Sequence, residues 1–248
     1  MLLRKHFGDK LFMLPLCSPA GDQCPVDLVR WVEPESDVND PNLKRTNPHP
    51  RKADPSMFDL SGMRKAGKRV ANEIIEVYNE GLDAPQADPE LVHEVHNMQL
   101  PLRRTTFAEV AAARRRIHDY LAEKPGDVDF NDAAALQVDL GILRREELQE
   151  KMDILDTESH ILRLGTVAFA TNPFELFLDF GNQIKARSYA EQTFLIQLAN
   201  GTEGYLPTEK AEKGGHYSAF LPSGLVGHAG GEQLVRETLK NINKLFAE

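Results

Sequence analysis

Apolar residues recur at helical spacing at Leu60, Met63, Val70, Ile74 and Val77, which predicts an amphipathic helix over residues 57–79 with Gly81 as its stop. The pattern then changes period: residues 91–102 alternate, as a strand with one buried face does. Thr106 and Glu109 form a capping box ahead of a helix running to about Glu123, closed by Pro125-Gly126. Residues 132–152 read as helical, with Gly141 weakening the middle. Residues 161–171 (ILRLGTVAFAT) read as a strand, a tight turn at Gly165 and a second strand, after which Pro173 sits where it can open a helix to about Arg187. A buried strand at 193–198 precedes a polar loop, a short helix at 208–213 and a Gly-rich passage ending at Gly231. An amphipathic helix over 232–246, with Leu234, Leu239, Ile242 and Leu245 inward, closes the chain. Near the other end, residues 11–17 (LFMLPLC) read as a buried strand running into the turn-rich segment 18–22, and residues 33–56 as a long surface loop dense in Pro, Asn and Asp. Strands interleaved with helices define an α/β class with a mixed sheet flanked by helices.

Composition narrows the class of partner. With a net charge of -9 and a pI near 5.4 the chain lacks the basic surplus of a nucleic-acid binder, and Arg114, Arg115 and Arg116 read as a solvated helix face. No run reaches the roughly 18 to 20 apolar residues that a membrane span requires. The N-terminal apolar run is too short for a signal peptide, and two cysteines, Cys17 and Cys24, do not build a disulfide framework, so a reducing, cytoplasmic setting is expected.

Candidate chemistry gathers in the second half. Glu175, in Asn172-Pro173-Phe174-Glu175, is either a carboxylate complementing a helix dipole or a ligand at the carboxyl end of a strand, where open α/β sheets place their sites. Tyr205 lies just beyond the next strand and is either a packing residue or part of the same site, and Tyr217 follows twelve residues later. His93 and His96 (HEVH) lie on a strand, where residues three apart point to opposite faces, so they are not a ligand pair. His216 reads as an exposed loop residue or a group behind Tyr217, and His228 as packing or pocket lining at a helix N-terminus.

Residues 164–217 (LGTVAFATNPFELF … FLIQLANGTEGYLPTEKAEKGGHY) resemble the neutral ceramidase family. In that family a strand leads to a Pro-x-Glu turn bearing a zinc ligand. A further strand follows, then an Asn, a zinc-binding Tyr five residues later, a Thr three beyond it and an active-site Tyr twelve beyond the first. The matching positions are Glu175, Asn200, Tyr205, Thr208 and Tyr217. Residues 20–25 (AGDQCP) are similar to the family's Gly-Asp-x-Ser-Pro turn, with Cys24 in place of the active-site Ser, a proposed nucleophile.

The resemblance implies a zinc-dependent hydrolase of an amide bond, acting on an N-acyl sphingosine or another small-molecule amide or lipid. It assigns Glu175 and Tyr205 as metal ligands and Tyr217 and Cys24 as catalytic groups. The family's two zinc-binding histidines lie upstream of the Gly-Asp-x-Ser-Pro turn, and only 23 residues precede Cys24 here. The expectation is therefore the C-terminal part of a catalytic domain, inactive alone and completed by an N-terminal half. A different class, a metal-free α/β remnant or interaction module, is the alternative.

Overall fold

The computed structural model describes residues 2–24, 31–32, 52–53, 59–81, 87–124 and 126–247. They divide into two compact units, one of residues 1–15 and 24–87 and one of residues 16–23 and 88–248.

In the first unit, α1 (Leu2–Phe7) packs against α2 (Asp59–Gly81), with the Phe7 and Tyr78 rings edge to face at 4.5 Å. The helix expected at 57–79 thus forms, ending at Gly81 itself. Two short strands, β1 (Trp31–Val32) and β2 (Lys52–Ala53), pair antiparallel. β2 falls inside the expected surface loop at 33–56, which is corrected to that extent; the rest of that range lies outside the described residues. The buried strand expected at 11–17 does not form. Phe12 and Leu14 are 97% and 80% exposed, and Pro15 has no N–H for a ladder.

The second unit is built on a four-stranded sheet in the order β3-β4-β5-β7, comprising β3 (Leu91–Pro101), β4 (Ile154–Leu164), β5 (Val167–Thr171) and β7 (Gln192–Ile196). β3 and β4 pair antiparallel along their whole length, Leu91 opposite Leu164 and Pro101 opposite Ile154, and β4 turns into β5 at Gly165. β5 and β7 run parallel, so the chain must cross over between them, and α6 (Leu178–Arg187) makes the crossing. Two-residue strands, β6 (Glu175–Leu176) and β8 (Tyr205–Leu206), pair parallel just beyond the carboxyl ends of β5 and β7. The mixed α/β class read from the sequence is the one observed.

The core lies on one side of this sheet. Ile161, Ala168, Ala170 and Leu195 point from the strands toward Phe180 and Ile184 of α6 and Leu234, Val235, Leu239 and Ile242 of α8 (His228–Phe246). Each large side chain so buried contributes about 1.5–3 kcal/mol. α8 begins four residues before the expected 232: Gly230 and Gly231 belong to its buried first turn, where a Cβ on Gly231 would overlap the Phe180 ring. The opposite face of the sheet carries Leu91, Val95, Leu164 and Phe194, all exposed, with Phe194 stacked on Phe169 at 5.2 Å. A separate small core joins α3 (Phe107–Glu123) to α5 (Gln137–Leu148) through Val110, Ala113, Ile142 and Leu221. The capping box at Thr106 and Glu109 forms as expected. The single helix expected at 132–152 is two, α4 (Phe130–Ala135) and α5, broken at Leu136, and β4 starts at Ile154, well ahead of the expected 161.

Candidate functional site

Pro173 does not open a helix. Buried Asn172 accepts from the Phe174 N–H through its side chain (3.1 Å), and the Glu175 N–H donates to the Gly204 carbonyl (2.9 Å). These bonds hold the chain extended, so Glu175 lies in β6 and not in a first helical turn, which corrects that expectation. α6 starts only at Leu178, and its Leu178 N–H is accepted by the Asp22 carboxylate (2.8 Å) from far upstream.

Glu175 and Tyr205 are register partners in the parallel pair β6-β8, which puts their side chains side by side on one face. Tyr217 arrives from the loop after α7 (Glu209–Gly214), its hydroxyl 3.4 Å from that of Tyr205 and its ring edge-on at 5.6 Å. The structure therefore brings together three of the four predicted site residues, Glu175, Tyr205 and Tyr217. Thr208 caps α7 by accepting from the Ala211 N–H (3.3 Å). Asn200, in a left-handed conformation at φ 59°, donates to Glu158 on β4 and contacts His160.

The electrostatics follow from this grouping. The hydrogen bond to Tyr217, then burial, then the Glu175 carboxylate raise the Tyr205 phenol above its ordinary pKa of 10.0. A raised folded-state pKa stabilises the fold below the unfolded value and loses that contribution as pH climbs through the folded one. In the ultraviolet titration of phenolate absorbance, the difference between the native chain and Tyr205→Phe is expected to show a tyrosine ionising above the ordinary value. A difference curve centred on the ordinary value would show that Tyr217 and Glu175 do not act on it.

Two buried polar residues position the site. Gln197, 5% exposed, accepts from the N–H groups of both Leu176 (3.0 Å) and Ala20 (3.1 Å), and its own N–H donates to the Cys17 carbonyl (2.8 Å). It ties β6 to the segment at 17–21. The Gly21 N–H donates to the Leu176 carbonyl (2.9 Å), and Gly21 must be glycine because a Cβ would overlap the Glu175 carbonyl oxygen. The Gly-Asp turn picked out in the sequence is thus a clamp: Gly21 lies against the backbone of Glu175, and Asp22 starts the next helix. Cys24 is exposed, as a free thiol, in the first unit.

Arg145 is the second. It is 4% exposed and donates to the carbonyls of Arg103 (2.7 Å), Gly224 (2.7 Å), Leu225 (3.2 Å) and Leu221 (3.4 Å). Burial first, then the Arg103 charge, lowers its pKa. The loop it gathers bridges Gly224 to Gly204, immediately before Tyr205, and Ser223 in the same loop donates to the Tyr217 carbonyl. Neither residue was visible as a site element in the sequence. Arg145 stands in the charged run RREE, and Gln197 is marked only by being polar in an apolar strand.

The histidines separate as the strand geometry requires. His93 meets His160 on the open face (2.9 Å), while His96 bonds Glu94 on the other (2.9 Å). His216 is exposed beside Tyr217, and His228 pairs with Glu212 (2.8 Å), whose other oxygen accepts the His228 N–H at the start of α8. Among the described residues no three His, Cys, Asp or Glu side chains gather as a metal cluster. Glu175 and Tyr205 offer two adjacent oxygen donors, half of a tetrahedral zinc set.

The fold and this edge cluster define a mixed α/β unit with a carboxylate and two phenols at the carboxyl ends of its parallel strands. No family model and no curated protein matches the chain. Among solved structures, neutral ceramidase from Pseudomonas aeruginosa is similar in fold over 78% of this chain and 34% of its own, at 14% identity and a TM-score of 0.51. A ceramidase complexed with C2 matches over 76% and 35%, at 12% identity and a TM-score of 0.48. The chain spans about a third of the length of these ceramidases. Among the described residues no helix is long and apolar enough to cross a membrane.

Proposed function

We propose that the chain contributes Glu175, Tyr205 and Tyr217 to the active site of a ceramidase-like, zinc-dependent hydrolase that cleaves the amide bond of an N-acyl sphingosine or a related N-acyl substrate. The observation that carries this reading is the parallel register of Glu175 with Tyr205, with the Tyr217 hydroxyl 3.4 Å from that of Tyr205. Glu175 and Tyr205 are ligands in it, and two histidines from an N-terminal half complete the set. Zinc bound there would supply Lewis acidity toward water and the acyl carbonyl. The strand pair fixes the two oxygen donors next to each other, and Gly21 and Gln197 keep Glu175 from shifting along the sheet. With its pKa raised, Tyr205 would have to give up its proton to hold a cation through its oxygen, so affinity for the metal would rise with pH. The Tyr217 hydroxyl donates to the acyl carbonyl oxygen as negative charge develops on it.

The 248-residue chain alone is expected to bind zinc weakly and to leave N-acyl sphingosine uncleaved. Glu175→Gln and Tyr205→Phe should each abolish the weak binding in titration calorimetry while circular dichroism stays unchanged. Stoichiometric, chelator-resistant zinc would overturn the shared-ligand reading, and zinc uptake unaffected by both substitutions would overturn the site itself. In the enzyme assembled with its histidine-bearing half, Cys24→Ser should maintain or raise turnover; complete loss would show that the thiolate is used.

A further inference from the structure

The first unit holds an apolar groove of about 800 Å³ between α1 and α2. Met13, Met63 and Val70 line it together with Lys5, Arg64 and Lys68, and among the described residues no carboxylate does. The apolar surface runs on past the groove. Leu60, Met63, Val70, Ile74, Val77 and Tyr78 of α2 are each between 42% and 62% exposed, and Phe12 and Leu14 stand almost wholly in solvent. From Leu60 to Tyr78 this stripe is about 27 Å long at the helical rise. A soluble surface rarely leaves so many large apolar side chains together without a partner.

The charge around the stripe indicates what the partner is. Residues 2–15 and 59–71 carry seven Lys or Arg against Asp9 and Asp59 alone, in a chain whose totals are 29 basic to 38 acidic. The acids of α2, Glu73, Glu76 and Glu80, stand in its C-terminal half, away from the groove lining. A helix with one apolar face and neighbouring cations, flanked by an exposed segment bearing Phe12, Met13 and Leu14, is built to lie in the plane of an interface. A second copy packed parallel would bring the two basic halves together. A single bound amphiphile would fill the groove and leave Ile74 and Val77 bare.

We propose that α1 and α2 form a docking surface for an anionic lipid bilayer. The apolar stripe enters the acyl boundary while Lys5, Arg64 and Lys68 meet lipid head-group anions. The proposal stands without the zinc site: failure of zinc to bind would leave it intact, and failure of vesicles to bind would leave the zinc site intact.

The test is sedimentation of the full chain with phosphatidylcholine vesicles, plain or containing roughly one third phosphatidylglycerol. The chain should pellet with the anionic vesicles, do so far less with the plain ones, and be released as salt rises. Because each cation near such a surface is worth roughly a fivefold change in partition, Arg64→Gln with Lys68→Gln should weaken binding about 25-fold. Val70→Ser with Ile74→Ser should abolish it, while Phe194→Ser, on the sheet of the other unit, should change nothing. All five positions are solvent-facing, and unchanged circular dichroism would exclude misfolding as the cause.

Absence of pelleting with anionic vesicles overturns the proposal, as does equal binding to both vesicle types. So does self-association in sedimentation velocity that Val70→Ser with Ile74→Ser removes without any vesicle binding. Binding of monomeric laurate alone would reduce the groove to a small-ligand site and overturn it too.

Discussion

Arg145→Met is expected to destabilise the second unit by about 3–5 kcal/mol, read as a fall in the midpoint of denaturant unfolding. Among the described residues the side chain has no carboxylate partner; its charge is met by backbone carbonyls. Methionine fills much of the volume but donates nothing, and the carbonyls of Arg103 and Gly224, each held at 2.7 Å, are left buried without that donor. Leu225 loses less, because its carbonyl also accepts from the Arg103 N–H (2.9 Å). Arg145→Lys should recover only part of the loss, since a single ammonium cannot span what the guanidinium fork reaches. The neighbouring exposed Arg144→Met should stay within about 0.5 kcal/mol of the native chain. If Arg145→Met unfolds at the same denaturant concentration as Arg144→Met, the loop at 221–225 is held by something else. Because that loop abuts Gly204 and Tyr217, the substitution should also weaken the zinc binding proposed for Tyr205.

The same chemical change at two glycines is expected to act in opposite directions. Gly21→Ala pushes a methyl group into the Glu175 carbonyl, backbone against backbone, with no flexible side chain to yield, and should cost about 3 kcal/mol. Gly67→Ala adds the same methyl in the interior of α2, where nothing lies within 4 Å, and should stabilise by about 0.5–1 kcal/mol because glycine loses more chain entropy in a helix. Thermal unfolding of the two variants beside the native chain decides this. A Gly21→Ala protein as stable as native would mean that β6 moves aside freely, and Glu175 would then lack the fixed position the proposed site requires.

The local patterns that held are those whose causes are local. The helix at Asp59–Gly81 follows from its apolar spacing, and the one at Phe107–Glu123 from a capping box that satisfies its own first turn. The long strand at Leu91–Pro101 follows from alternation, which also places His93 and His96 on opposite faces. The hairpin turn at Gly165, with φ 59°, needs a left-handed residue and has one. Grouping Glu175 with Tyr205 and Tyr217 is what the resemblance to neutral ceramidases implies, and the parallel register of the two short strands is what sets Glu175 beside Tyr205.

What tertiary structure decided are the places where the partner lies far along the chain. Residues 11–17 have the apolarity of a buried strand, yet they join no ladder, and Phe12, Met13 and Leu14 stay exposed. Pro173 has the look of a helix start, yet the helix begins at Leu178 because the Asp22 carboxylate, 156 residues away in sequence, receives its first N–H, while Gly204 and Gln197 keep residues 174–176 extended. Gly230 and Gly231 resemble a loop until the Phe180 ring is seen to need the space. Arg145 and Gln197 are invisible for the same reason: their partners are backbone groups, which every sequence has, and only folding decides which carbonyls and N–H groups are buried without another donor or acceptor. Sequence by itself determined the elements whose hydrogen bonds close within a turn or follow a periodic apolar face. The burial of polar backbone at the strand ends determined the rest, and it is there that Glu175, Tyr205 and Tyr217 meet.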